Sequence, residues 1–243
     1  MEQKEQTLVE HYQTLNDIRT DFRNANLFAL VASLVTGKTV VDVGCGSGFL
    51  TNLMLESGRE VVGIEPNEGL RKLASEFNPR AKIIPGMAED ITSIVTAPVE
   101  SVVMTDVLEH IEDDGEQVRK VSRVLTTGGQ FIIVVPAYPS LYGKRDEGMG
   151  HYRRYSKRAL ERVLIENGFR IESIRYWNAL GVLPYLVAEK ILKRPLRAEF
   201  RGSEKVGFFS RVVRTGLFFW FRYVENNCNF YFGLSIIAVA KKV

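Results

Sequence analysis

The chain has few of the features that mark secreted, membrane-spanning or nucleic-acid-binding proteins. Only two cysteines, Cys45 and Cys228, occur in 243 residues. They show neither metal-ligand spacing nor the density of a disulfide framework, which points to a reducing, cytoplasmic compartment. The amino-terminal run MEQKEQTLVEHYQTL is polar and lacks the basic and apolar regions of a secretion signal. No uninterrupted apolar stretch reaches the length of about 18 residues that would suggest a membrane-crossing helix. The net charge of +3 is too small to argue for nucleic acid by itself, so the distribution of charge matters more than its sum. There is no internal repeat and no low-complexity tract. What remains is 45% hydrophobic and 25% charged, enough to bury a sizeable core.

The hydrophobic pattern changes character along the chain. In residues 1–36, Leu27, Leu30, Val31 and Leu34 give a helical stripe. From Lys38, short runs rich in Val and Ile at 38–43, 60–64, 81–85, 99–105 and 130–135 read as strands. Amphipathic segments at 48–57, 67–76, 113–125 and 156–167 read as helices, the last with Ser156 as N-cap and Gly168 beyond its end. Arg170–Trp177 and Leu234–Ala240 read as two more strands. Strands separated by helices predict an α/β fold with a mostly parallel sheet covered on both faces.

An open parallel sheet binds its ligand beyond the carboxyl ends of its strands, where strand order reverses. The first run ends there in Val40–Leu50, VVDVGCGSGFL. Gly44, Gly46 and Gly48 suit a sharp turn that a ligand must approach closely, and the following helix aims free N–H groups at it. The spacing is G-x-G-x-G, whereas a dinucleotide site wants G-x-G-x-x-G. Asp42, two residues before the first glycine, would repel a pyrophosphate and suits a cationic ligand. The second strand ends in Glu65, where a carboxylate can accept from both ribose hydroxyls.

On these residues, 38–135 resemble the class I S-adenosylmethionine-dependent methyltransferases, in particular the small-molecule group carrying V-L-E-H, here Val107-Leu108-Glu109-His110. The resemblance implies a Rossmann-like seven-stranded sheet with an antiparallel last strand. On that basis the chain is one methyltransferase domain: a helical lid at 1–36, a core at 37–177 and 233–243, and a helical, basic and aromatic insertion at 178–232. It also implies S-adenosyl-L-methionine as cofactor and S-adenosyl-L-homocysteine as product. Gly44, Cys45, Gly46 and Gly48 would face the methionine portion, Asp42 its charged end and Glu65 the ribose. Pro66 and Asn67 would flank the adenine, and Asp106 and Val107 would close the cofactor side from the fourth strand. Members of the family often carry an acid at the position of Met87. Here Met87 would pack on the adenine face while the Ala88 backbone supplies the polar contact, and Glu89 is either an adenine contact or a solvated loop acid.

Methyl transfer to a hydroxyl needs the nucleophile held close and its proton removed. His110 is one candidate base; in the other reading His110 and Glu109 only brace their loop. The loop after the fifth strand is denser in chemistry, with Tyr138, Tyr142 and then His151-Tyr152-Arg153-Arg154-Tyr155. His151 is a second candidate base and Tyr152 a third candidate catalytic group. Tyr138, Tyr142, Arg153, Arg154 and Tyr155 are candidate substrate contacts, since arginine pairs with carboxylate or phosphate. The alternative is a bracing network in which Asp146 or Glu147 pairs with Arg153 or Arg154. The stretch G-H-Y-R-R-Y recurs in a methyltransferase subgroup associated with cell-envelope and secondary metabolism. No metal-ligand cluster is evident, and none is expected.

Residues 190–222 carry nine Lys or Arg against Glu199 and Glu204, interleaved with Phe208, Phe209, Leu217, Phe218, Phe219, Trp220 and Phe221. Such a segment can form a substrate lid, lie at a membrane surface, or pack into the core or a second copy. Nucleic acid is disfavoured: no RNA-binding module is present, the aromatics cluster instead of spacing out along a groove, and T-D-V-L stands where amine-methylating enzymes carry an Asn/Asp-Pro-Pro-Tyr/Phe tetrapeptide. The expected activity is therefore methylation, mainly O-methylation, of a small-molecule or lipid-linked acceptor. The rival is a catalytically silent S-adenosylmethionine-binding or scaffold protein.

Overall fold

Valine- and isoleucine-rich strands can be buried only between two layers, and the computed structural model, which describes residues 21–191 and 208–243, shows both. Seven strands form one sheet: β1 (Thr39–Val43), β2 (Glu60–Ile64), β3 (Lys82–Ile84), β4 (Val99–Thr105), β5 (Leu125–Pro136), β6 (Phe169–Trp177) and β7 (Ser235–Lys242). Their order is β3-β2-β1-β4-β5-β7-β6. β1 to β5 pair in parallel, and β7 runs antiparallel between β5 and β6. Strand order reverses between β1 and β4, which puts the switch point at their carboxyl ends.

Alternation along β5 assigns the two faces. Phe131, Ile133 and Val135 join one buried cluster, and Ile132 and Val134 join the other. The first face is covered by α5 (Asp114–Val124) and α7 (Lys157–Glu166), through Val118, Val121, Leu160 and Leu164. The second is covered by α1 (Phe22–Leu34) and α2 (Phe49–Glu56), through Leu27, Val31, Leu50 and Met54. Asp21 caps α1 and Asn67 caps α3 (Glu68–Phe77), each accepting backbone N–H groups of its own first turn. Asp113 and Ser156 do the same for α5 and α7.

Three departures from the sequence reading have physical causes. β5 begins five residues early, because Leu125 pairs with Val99 before the polar excursion Thr126–Gly129, and Gln130 resumes the ladder opposite Ser101. The segment after β5, read as loop, contains α6 (Lys144–Met149). Its six residues are held by side-chain contacts of Asp146 that a periodicity pattern does not register. The short α4 (Ile91–Ile94) was likewise invisible.

The two flanking segments are described in part. Residues 1–20 of the expected lid lie outside the described residues; the described remainder, α1, is packed on the sheet. In the insertion, α8 (Val182–Tyr185) continues into a wider π-type turn at Leu186–Ile191, residues 192–207 lie outside the described residues, and α9 (Phe208–Phe219) runs into a second such turn at Trp220–Glu225. That second turn is core. Phe221 packs against Trp177 with ring centroids 5.0 Å apart, and buried Glu225 accepts from Ala179 N–H at 3.0 Å. Among the described residues no helix is long and apolar enough to cross a membrane.

Candidate active site

The carboxyl ends of β1 and β2 build the first half of the site. Gly44 and Gly46 have φ of +70° and +55°, the left-handed region that favours glycine. A Cβ on Gly44 would stand 2.5 Å from the Val107 side chain, so the loop after β4 closes directly on it. A Cβ on Gly46 would meet nothing within 4 Å; that side of the loop is open to a ligand. Gly48 opens α2 against Ala74 and Asn78. The Cys45 side chain turns away toward Gly63, and burial, with Asp42 and Glu65 nearby, pushes its thiol far up. Cys45 therefore offers a ligand its backbone only.

Two carboxylates converge on this loop. Asp42 is buried, accepts from Thr51 Oγ1 at 2.6 Å, and is pushed up to about 6 by burial, against the Thr51 hydrogen bond and with a smaller push from Glu65. Glu65 Oε2 accepts from Gly46 N–H and Oε1 from Asn67 N–H, both at 2.9 Å, and burial raises its pKa too. Glu65 adds to the burden on buried Asp42, while Arg71 acts in the opposite sense on Glu65. With the open glycine floor, this donor set fits a nucleoside carrying a cation.

The adenine end is more loosely built. The Asn67 side chain is taken up as the cap of α3, accepting from Leu70 N–H, and the Pro66 carbonyl accepts from Arg71. Met87 is 52% exposed while Ala88 is buried beneath it. Glu89 is exposed. Met87 is thus free to cover a flat ring, as its residue type suggests.

The second half of the site is made where the loop after β4 meets the loop after β5. Asp106 sits at φ +54°, exposed, and aims the turn Leu108–His110 across the sheet end. The His110 and His151 rings meet edge to face, centroids 4.5 Å apart at 88°. His151 is 9% exposed; its Nδ1 lies 3.1 Å from Asp146 Oδ1, and its Nε2 has no hydrogen-bond partner. Burial, then His151, lowers the pKa of His110, against Asp106 and a hydrogen bond to the Gly150 backbone. Glu109 is 0% exposed, and neither carboxylate oxygen has a hydrogen-bond partner. Burial, with Asp106 and Asp146 adding negative charge, holds its carboxyl well above the usual range.

These contacts correct several expectations. Glu109 does not brace the loop through its carboxylate; only its carbonyl does so, accepting from Tyr152 N–H at 2.8 Å. Glu109, His110 and His151 each offer a ligand atom within 4.8 Å of the others, so a potential metal-binding cluster exists where none was expected. It forms across more than 40 residues of chain, and no local spacing announces it.

The arginines and tyrosines expected to hold substrate are largely spent on the protein. Arg154 is buried, donating to Asp146 at 2.8 Å and to the Tyr185 hydroxyl at 2.9 Å. Arg153 pairs with Asp114 at 3.1 Å and also donates to the Glu112 carbonyl. Tyr155 is buried and donates to Asp114 at 2.7 Å; burial pushes its hydroxyl far up. Tyr142 donates to the His151 carbonyl at 2.8 Å. Of the bracing pairs weighed from sequence, Asp146 with Arg154 is present. Tyr138 stacks on Tyr176 at 5.4 Å, and Tyr152 is half-exposed beside Arg153. Sequence reasoning did not find Thr51 at Asp42, Asp146 behind His151, or Tyr185, by which the insertion reaches this network. A separate cleft, lined by Thr39, Arg59, Glu60, Arg80 and Val99, includes none of the glycine-loop residues Gly44–Gly48.

The chain is similar to known proteins in sequence and in fold. A family model described as a methyltransferase domain matches residues 13–174. The chain is 28% identical over 162 residues to a probable S-adenosylmethionine-dependent methyltransferase of Mycolicibacterium smegmatis, covering 66% of this chain and 61% of that protein. It is 25% identical over 235 residues to the mitochondrial ubiquinone biosynthesis O-methyltransferase of Homo sapiens, covering 81% of this chain and 64% of that protein. The chain thus spans less than two thirds of the length of these two relatives. A solved S-adenosylmethionine-dependent methyltransferase of Thermotoga maritima, described as a possible histamine N-methyltransferase, shares the fold with a TM-score of 0.61 and 16% identity, covering 98% of this chain and 97% of that one.

Proposed function

The chain belongs to the S-adenosylmethionine-dependent methyltransferases, and on that premise we propose that it methylates a hydroxyl oxygen of a small-molecule or lipid-linked acceptor. The bound cofactor supplies an electrophilic methyl group on a sulfonium, leaving S-adenosylhomocysteine when that methyl is taken. The residues of this chain then divide into two sets. Asp42 provides the negative charge that a sulfonium and an ammonium call for. Glu65 provides the ribose acceptor, and the backbone from Gly44 to Gly48 forms the floor. Met87 covers the adenine.

On the acceptor side the carrying observation is His151, whose Nδ1 faces Asp146 and whose buried Nε2 is unpartnered. A carboxylate on Nδ1 fixes the proton there and leaves Nε2 as the acceptor of a substrate proton. In the metal-free protein His151 is thus the base and Asp146 its positioning residue, with His110 at the entrance. Arg153, Arg154 and Tyr155 set the shape of the loop. O-methylation also has support from the named activity of the ubiquinone biosynthesis relative. The test is a survey of phenolic, sugar and lipid-linked hydroxyl acceptors against amines with carbon-13-labelled S-adenosylmethionine. The methyl shift of the product separates O–CH3 from N–CH3, and product from amines alone refutes the proposal.

A lipid-linked acceptor has its own support. On α9 and the turn after it, Val212, Phe219 and Tyr223 are exposed at helical spacing, with Arg211 and Arg222 exposed beside them. This is the composition of a helix that rests on an anionic lipid surface. The two free cysteines fit a protein acting on the cytoplasmic side of such a surface.

A further inference from the structure

We propose that Glu109, His110 and His151 bind a divalent first-row transition ion, best matched by Zn2+, with a coordination position left for the acceptor oxygen. The inference rests on the reading that the acceptor enters at this end of the sheet, but it is tested apart from it. One carboxylate oxygen and one nitrogen from each of two imidazoles lie within 4.8 Å of one another. Zinc–ligand distances of about 2.0–2.1 Å place tetrahedral ligands roughly 3.3 Å apart. The cluster must therefore contract, and exposed His110, on its short turn, is the member able to move.

Two further observations point to an ion instead of a chance grouping. The first is the wholly buried Glu109, whose two oxygens have no partner. The nearby guanidinium of Arg154 is hydrogen-bonded to Asp146 and Tyr185. The second is His151, whose Nε2 is buried and unpartnered while its Nδ1 faces Asp146. Metal-bound histidines usually rest their other nitrogen on a carboxylate or carbonyl, and Asp146 is itself fixed by Arg154 and by Gly143 N–H at 3.1 Å. The His151 imidazole is thus oriented from behind.

Two nitrogens and one carboxylate oxygen suit borderline ions, whereas Mg2+ and Ca2+ prefer all-oxygen shells. Three protein ligands are a catalytic complement, since structural zinc sites close with four. In the metal-bound protein His151 Nε2 is a ligand and no longer the base. A hydroxyl bound at the open position is acidified by the ion and releases its proton to solvent.

The experiment is Zn2+ titration of the full chain by calorimetry, with Co2+ as a spectroscopic substitute and Mg2+ as competitor. Expected are one Zn2+ per chain, a tetrahedral Co2+ absorption band, and no displacement by excess Mg2+. Glu109→Gln, His110→Ala and His151→Ala should each weaken Zn2+ at least about tenfold, and Asp146→Asn about 10- to 100-fold through His151. S-adenosylhomocysteine binding, measured on the same samples, reports folding, and exposed His110 gives the variant least prone to misfold. No stoichiometric ion on the wild-type chain, or equal binding by His110→Ala and His151→Ala, overturns the site. If the wild type binds S-adenosylhomocysteine but no ion, this inference fails and the methyltransferase reading stands. If it binds the ion but no S-adenosylhomocysteine, the reverse holds.

Discussion

The cofactor half and the acceptor half of the site are built in different ways. The first uses residues 42–67, two adjacent strand ends joined by one helix, and its polar contacts are largely between carboxylates and backbone N–H groups. The second draws on the loop after β4, the loop after β5 and, through Tyr185, the insertion; the contacts at its centre, around Asp146, are side chain to side chain. A ligand shared by a whole family can be met by backbone and two acids. An acceptor particular to one subgroup needs a network whose members can be exchanged singly. The contrast is broken most directly at Glu65. Glu65→Ala removes the acceptor of two N–H groups and the expected ribose contact, so S-adenosylhomocysteine affinity should fall by about 2–4 kcal/mol, with charge-assisted bonds each worth roughly 1.5–3 kcal/mol. Calorimetry giving unchanged affinity would remove the cofactor assignment from this half.

On the other half, in the metal-free protein, Asp146→Asn should leave S-adenosylhomocysteine affinity within about twofold and lower kcat roughly 100-fold, the scale of general-base catalysis. Arg154 would keep a buried charge with a weakened partner, so the melting transition should fall as well, at a cost of about 2–3 kcal/mol. Because instability alone would not reshape a pH profile, the decisive readout is the kcat–pH curve measured well below the melting transition. An unchanged curve means that Asp146 only holds the loop.

The same contrast explains what the sequence revealed. The sheet was legible because β1, β4 and β5 are buried on both faces and carry short runs rich in Val and Ile. The glycine loop was legible because its residues are contiguous, and α3, α5 and α7 because Asn67, Asp113 and Ser156 cap them. α6 was not, since six residues with two glycines nearby are held only by what Asp146 touches in space. Bracing was one of two readings of the Glu109–His110 turn; a buried acid is normally hydrogen-bonded, and the Glu109 carboxylate is not. The end of the insertion left lid, membrane surface and core packing open, because Trp220, Phe221 and Glu225 follow a basic aromatic run. Their burial depends on Trp177 and Ala179, more than 40 residues earlier.

A third test sharpens the electrostatic side. Burial raises Asp42 from the ordinary 3.8 to about 6. Below the unfolded value both states hold the proton and the burden is absent; as pH rises through about 6 the folded state alone resists ionisation, and stability is lost. Ligand-free protein should therefore lose about 1–3 kcal/mol between roughly pH 4 and pH 6.5 from this group, at about 1.4 kcal/mol per pKa unit. Asp42→Asn should flatten that slope in denaturant titrations at several pH values and melt higher at pH 7.5, while binding S-adenosylmethionine more weakly. A variant that is no more stable would mean that the buried carboxylate is compensated within the protein.

The smallest expected effect lies outside the glycine loop, on α9 and the turn after it. Phe219 and Tyr223 stack at 5.9 Å with planes 11° apart, yet are 52% and 65% exposed. A stacked pair facing water leaves much of its apolar area unburied, and each Arg near an anionic bilayer adds about 1 kcal/mol of attraction. The chain should therefore co-sediment with phosphatidylserine-containing vesicles and not with neutral phosphatidylcholine. The paired change Phe219→Ala and Tyr223→Ala should lower that partitioning by about tenfold, near 1.4 kcal/mol, and leave S-adenosylhomocysteine binding intact, because neither ring touches the glycine loop. Equal partitioning by the variant would return the exposed aromatics to a lid or a protein contact. The acceptor half would then meet a soluble substrate.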